Sequence, residues 1–290
     1  MRAWREAILA AAVAVELAAL GAGSRAQAQD RPPPKAPCGG EVLAHGTARE
    51  IIDGRTFVLN DGREVRLAGI EVPPVPPLPP PPQQSGAAPG GPAAKETLAA
   101  LLKGAEVVLR RADAPSDRYG RLLAYAATVS DGSERSTQAE LVAGGFGRVA
   151  ARVGSRDCAV ELLARESAAR AAKLGLWANS YYDLLAADDP ADVLAQRGRF
   201  ALVEGKVLSV RESGATIYVN FGRRWTEDFS VTILKRNGRK FAAAGLEPKR
   251  LAGRRVRVRG WIEQRGGGGG GSSPWIEATY PEQIELTDRE

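Results

Sequence analysis

The 290 residues carry 44% hydrophobic side chains, enough apolar content for the cores of two ordinary domains and enough to exclude a disordered chain. A single histidine, His45, and two cysteines, Cys38 and Cys158, exclude multi-histidine and cysteine-rich zinc sites. The formal charge of +6 is concentrated in the last third, where residues 199–290 hold 17 basic and 11 acidic groups, which makes that region the first place to look for an anionic partner.

Residues 1–28 read as a signal peptide: Arg2 and Arg5 precede the apolar run Ala7 to Ala22, and Ala26-Gln27-Ala28 forms a small-residue cleavage site. The expected location is therefore the periplasm or the outside of the cell. Glu16 interrupts the run, so a short uncleaved amphipathic anchor is the alternative. No later segment approaches the roughly 18 to 20 apolar residues of a membrane span, and no stable span is expected after leader cleavage. Residues 29–40 form a Pro- and Gly-rich tether. In an oxidising compartment Cys38 and Cys158 are expected to form a disulfide, two separate buried thiols being the alternative.

Extended chain follows from Glu41 to Leu59, broken at Asp53-Gly54. Thr56 to Asn60 and Glu64 to Ile70 flank Asp61-Gly62, a hairpin pattern in which Asp-Gly supplies the turn. Ten prolines between Pro73 and Pro92 exclude strand and helix and leave a long loop of polyproline-II character. Periodicity then predicts a helix over 93–103, strands over 106–111 and 122–129, and helices over 137–148 and 155–173, with Trp177 closing the unit. Residues 178–198 form a linker, with 183–197 polar and Ala-rich. A second module is expected over 199–290, with strands near 201–210, 216–221, 229–234, 254–263 and 275–286 and a helix near 239–244. Five strands with a helix before the fourth suit an OB barrel.

The segments Ile51-Ile52-Asp53-Gly54-Arg55-Thr56, Val65-Arg66-Leu67, Gly69-Ile70-Glu71-Val72-Pro73 and Asp117-Arg118-Tyr119-Gly120-Arg121-Leu122-Leu123-Ala124-Tyr125 resemble the staphylococcal nuclease (thermonuclease) family in content, order and spacing. The resemblance covers residues 41–177. It implies an α+β fold, an OB barrel with three helices, and a site in which two arginines clamp a phosphate, carboxylates and a backbone carbonyl hold calcium, and a glutamate activates water. The clamp maps onto Arg66 and Arg121, whose forked guanidinium groups suit bidentate phosphate contacts. The calcium carboxylates map onto Arg55, a cation, and onto Glu71, with Val72 as the carbonyl. The glutamate base maps onto Pro74, and no Asp or Glu occurs from Val72 to Lys95.

These departures lead to an arginine-for-calcium expectation, in which the Arg55 guanidinium takes the metal position, pairs with Glu71 and adds to the Arg66–Arg121 cluster. The last module resembles the carboxy-terminal OB modules that accompany nuclease-like domains in some exported bacterial proteins. In Arg254 to Glu263, strict alternation places Val256 and Val258 inward and Arg255, Arg257 and Arg259 on the other face as a basic stripe. With Trp225, Tyr218 and Trp261 nearby in composition, the stripe suits single-stranded DNA or RNA. The competing view is that the charges keep the protein soluble while Trp225 and Trp261 fill the core.

The leading functional expectation is an exported protein that binds nucleic acid or another phosphate-rich polymer with hydrolysis impaired. An active calcium-dependent nuclease, with Asp53 and Glu71 reorganised around a metal, is the second. The third is a non-catalytic envelope interaction module docking through its proline loop.

Overall fold

The computed structural model describes Cys38 and residues 40–75, 89–266 and 272–288. The leader, most of the tether, the middle of the proline loop and part of the glycine run Gly266 to Gly271 lie outside the described residues. Pro34–Glu290 clusters as one compact unit.

The first half begins with β1 (Val42–Gly46), β2 (Ala48–Asp53), β3 (Thr56–Leu59), β4 (Glu64–Leu67) and β5 (Ile70–Glu71). The helix α1 (Gly91–Leu102) follows the proline loop, and then come β6 (Glu106–Ser116), β7 (Leu122–Ser130), β8 (Ser133–Ser136), α2 (Thr137–Ala143), β9 (Arg148–Val149) and α3 (Arg156–Ala171). Hydrogen bonding orders the main sheet β1-β6-β7-β4-β3-β2, with β8 added to β7 and the β4–β7 pair parallel. Gly62, at φ +88°, makes the turn between β3 and β4 that Asp61-Gly62 predicts. The helices cover an apolar core built from Phe57, Val65, Leu67, Leu98, Leu109, Leu141 and Leu162.

The helix read over 137–148 stops at Ala143. Gly145, at φ +73°, lets its own amide bond the Val142 carbonyl and the Phe146 amide bond that of Leu141, a Schellman closure that satisfies the orphaned carbonyls. The chain thus freed becomes β9 and pairs with β5, placing Arg148 opposite Glu71. Helix α3 is capped by the Ser155 hydroxyl, which accepts from the Cys158 amide at 3.4 Å, and it carries Asp157 in its first turn and Arg170 in its last, each matched to the helix dipole. The expected disulfide is present, Cys38 to Cys158, across 120 residues.

The polar connector is more ordered than its composition implies. It contains β10 (Leu185–Ala186) and the short helix α4 (Pro190–Ala195), and β10 pairs in parallel with the next strand. The second half then runs β11 (Phe200–Lys206), β12 (Ser209–Ser213), β13 (Thr216–Asn220), β14 (Ser230–Leu234), α5 (Gly238–Ala243), β15 (Arg255–Trp261), β16 (Glu263–Gly266), β17 (Ser272–Glu277) and β18 (Ile284–Leu286). Three of the five predicted strands each divide in two, because each passes from one sheet into the other through a break in its ladder, as at Val207-Leu208 and Ile262. The two sheets are β10-β11-β15-β18 and β12-β13-β14-β17-β16. They enclose Val203, Val219, Phe229, Val231, Phe241, Val258 and Ile276. The architecture is mixed α+β with strands predominating, and the ladders of the described residues form open sheets rather than closed barrels.

Candidate functional site

The turn between β2 and β3 contains only Gly54 and Arg55, since Asp53 faces Thr56 across the ladder. A side chain at position 54 would lie 2.6 Å from both Ala94 and Val72, so glycine is what allows the turn to press against α1. The Asp53 carboxylate accepts from the Arg55 amide at 2.8 Å and fixes the turn. Arg55 is thereby aimed inward: its Nη1 donates to the Ile70 carbonyl at 2.8 Å and lies 2.8 Å from Glu71 Oε2.

Arg66 projects from β4 beside Thr56, to whose hydroxyl it donates at 3.0 Å, and lies 3.8 Å from the Asp53 carboxylate. Burial first, then the like charges of Arg55 and Arg121, pulls its pKa down to about 10, against the attraction of Asp53 and Glu71. The guanidinium stays charged at neutral pH, and its displacement records burial first and the neighbouring guanidinium groups second.

Arg121 stands at the entry to β7, held through its Nε at 2.7 Å and its Nη2 at 2.6 Å by Asp117. Burial acts to raise the Asp117 pKa, but the Arg121 side chain and the amides of Tyr119 and Arg121 hold it below the usual carboxylate range. Tyr119 is exposed, with Arg118 and Arg121 over its ring at 4.7 and 5.1 Å.

All three arginines line one cleft of about 540 Å³, together with Glu71, Asp117 and Trp261. Trp261 comes from β15 in the second half; it is exposed and braced edge-on by Phe200, with ring centroids 5.9 Å apart. Every carboxylate lining the cleft is engaged by a guanidinium, Glu71 by Arg55, Asp117 by Arg121 and Asp113 by Arg152. A general base needs a lone pair available to a water proton, and each of these carboxylates shares an oxygen with a guanidinium.

The residues do not fit calcium. A hard dication requires several free oxygens, yet a guanidinium lies against the Glu71 carboxylate and the Ile70 carbonyl, and one Asp53 oxygen accepts from the Arg55 amide while the other lies 3.8 Å from Arg66. Among the described residues no group of three or more His, Cys, Asp or Glu could hold a metal ion.

The second-half residues separate into different environments. Arg259 does not belong to an exposed stripe. It is fully buried, donating to Glu166 Oε2 at 2.7 Å, to Glu166 Oε1 and the Val149 carbonyl at 3.1 Å each, and to Glu285. Burial alone would lower its pKa, but the Glu166 and Glu285 carboxylates outweigh burial and raise it. Arg257 and Arg255 both turn to Glu204, at 2.7 and 3.1 Å. All three arginines of the stripe are therefore engaged in ion pairs, and the outer face of β15 is closed over by α3 only at Arg259, while Arg255 stays 57% exposed. Trp225 is 67% exposed, and with Trp261 also exposed, neither indole fills the core.

Asp117, which orients Arg121, and Arg118 and Tyr119, which flank it, carry no assigned role in the sequence reading, although they sit in the quoted motif. A family model described as staphylococcal nuclease homologue matches residues 64–179. That stretch includes Arg66, Glu71 and Arg121 and begins after the Arg55 turn. A search of curated proteins returns no match to the chain.

Proposed function

We propose that this chain, which carries a staphylococcal nuclease homologue domain over residues 64–179, binds nucleic acid through the arginine cleft without metal and hydrolyses it weakly or not at all. The observation that carries this reading is the Arg55–Glu71 contact at 2.8 Å, a cation placed where the family resemblance implies a calcium ion. Three guanidinium groups then line one cleft and stabilise negative charge there. Among the described residues no carboxylate lining the cleft is free of a guanidinium to activate water.

The chain's own residues account for retention of a single strand. Arg66 and Arg121 grip a phosphate, Arg55 adds positive charge that Glu71 only partly offsets, and Tyr119 and Trp261 offer rings to unpaired bases on either side. The leader and the disulfide fit an exported protein, and the working site is the cell envelope or beyond it.

The test is single-turnover cleavage of labelled single-stranded DNA and RNA, with affinity read in parallel, in calcium and in chelator. The expected result is salt-sensitive binding that ignores calcium, without cleavage, and that weakens in Arg66→Ala and Arg121→Ala. Calcium-dependent cleavage that disappears in those variants would instead establish an active nuclease with a rearranged site.

A further inference from the structure

The second half holds a groove of about 730 Å³ across β12, β13 and β14, apart from the arginine cleft, and we propose that it is a binding site for single-stranded nucleic acid in its own right. This inference stands on the groove and does not depend on what the first cleft binds.

Strand register builds the groove floor. Arg211 pairs with Tyr218, and Asn220 pairs with Ser209 on one side and Ser230 on the other, so a guanidinium, an aromatic ring and three small polar groups share one face of the sheet. Trp225 and Arg223, from the loop after β13, complete the wall.

Charge in the groove is unbalanced. Among the described residues the Arg211 and Arg223 side chains make no ion pair or hydrogen bond, whereas Arg55, Arg121, Arg257 and Arg259 are all paired. Glu212, the carboxylate at the groove, is engaged by Lys235 at 3.1 Å and Lys249 at 3.3 Å, and those hydrogen bonds hold its pKa below the usual range. The net field facing the groove is positive.

Two further features specify a ligand that carries rings as well as charge. Trp225 leaves its indole 67% exposed, and Arg265, which also lines the groove, lies over the Tyr218 and Trp275 rings at 5.4 and 5.2 Å, a cation–aromatic group beside the charge. The Ser230 hydroxyl is buried at the groove without a hydrogen-bond partner, an unmet polar atom that a base edge or sugar would satisfy. A polymer alternating anions with unpaired planar rings matches all of these. A duplex hides its rings, and a sulfated glycan has none.

The experiment is fluorescence anisotropy of a labelled oligothymidylate of about 12 nucleotides with the full chain, first intact and then carrying Arg66→Ala and Arg121→Ala to silence the other cleft. Binding should persist in that double variant. Adding Trp225→Ala should then weaken it by about fivefold or more, with an unchanged melting temperature because the indole is exposed. Adding Arg211→Ala with Arg223→Ala instead should flatten the slope of log affinity against log salt by about 1.4. Arg250→Ala, a side chain 85% exposed and outside the groove, should have neither effect. Loss of all binding when the first cleft is silenced would overturn the proposal, as would equal competition by dextran sulfate, or a Trp225→Ala effect no larger than that of Arg250→Ala.

Discussion

Two of the arginine–glutamate pairs in this molecule serve opposite ends. In the cleft, the Arg55–Glu71 pair keeps 17% and 21% of its side-chain surface open, so the guanidinium still offers charge to a ligand. At β15, Arg259 and Glu166 are both 0% exposed, and the two hydrogen bonds between them join one half of the chain to the other. The chemistry of the pair is the same in both, and what packs over it decides whether it recognises a partner or seals a seam.

Breaking the seam should have the largest effects. Replacing Cys38 and Cys158 with serine frees the amino-terminal end of α3, the helix that covers Arg259, and should cost about 4 to 5 kcal/mol in the chain-entropy model for so long a loop; urea unfolding with and without reductant measures it. Arg259→Ala takes from the buried Glu166 the cation it hydrogen-bonds, leaving only Arg170 at 3.6 Å, and should cost about 3 kcal/mol, again by urea unfolding.

The cleft should respond in affinity and barely in stability. Arg66→Ala is expected to weaken single-strand binding about tenfold to a hundredfold, measured by anisotropy, while relieving the repulsion from Arg55 and Arg121. Arg55→Asp should lower affinity in chelator and make the remainder respond to calcium, because it restores a second carboxylate beside Glu71; calorimetry with calcium alone reads this directly. If neither variant changes binding, the contrast between open and sealed pairs fails.

Alkaline pH gives a smaller and more gradual effect. The Arg66 pKa is lowered to about 10, so above that pH the unfolded chain holds a proton that the folded chain releases. Stability from this group therefore rises with pH there while anion affinity falls, and paired denaturation and binding curves separate the two trends. At the small end, Arg255→Ala removes an exposed contact to Glu204 and should change stability by less than about 1 kcal/mol.

Local chemistry in the sequence foretold much of this. The Asp61-Gly62 turn and the alternation of Val256 and Val258 each depend on neighbours a few residues away, and the structure places them accordingly. The end of α2 was harder to read because the apolar run continues through Phe146, and only the paired glycines at 144 and 145 mark the stop. Arg259 was misread for a different reason: alternation assigns it to the outer face of β15, and nothing within the strand reveals that a helix some 90 residues earlier in the sequence packs over that face. The position of Trp261 beside the first-half arginines likewise depends on how the halves meet.

That meeting is made by main chain as much as by side chain. Arg148 donates to the Phe200 carbonyl at 2.7 Å, Arg259 donates to the Val149 carbonyl at 3.1 Å, and the Val153 amide donates to Glu282 at 3.1 Å, while Trp177, Tyr182, Phe200 and Leu202 share one apolar cluster. A protease that nicks the connector near residues 183–197 should therefore release no independently stable pieces; the two fragments should stay associated and melt together as one.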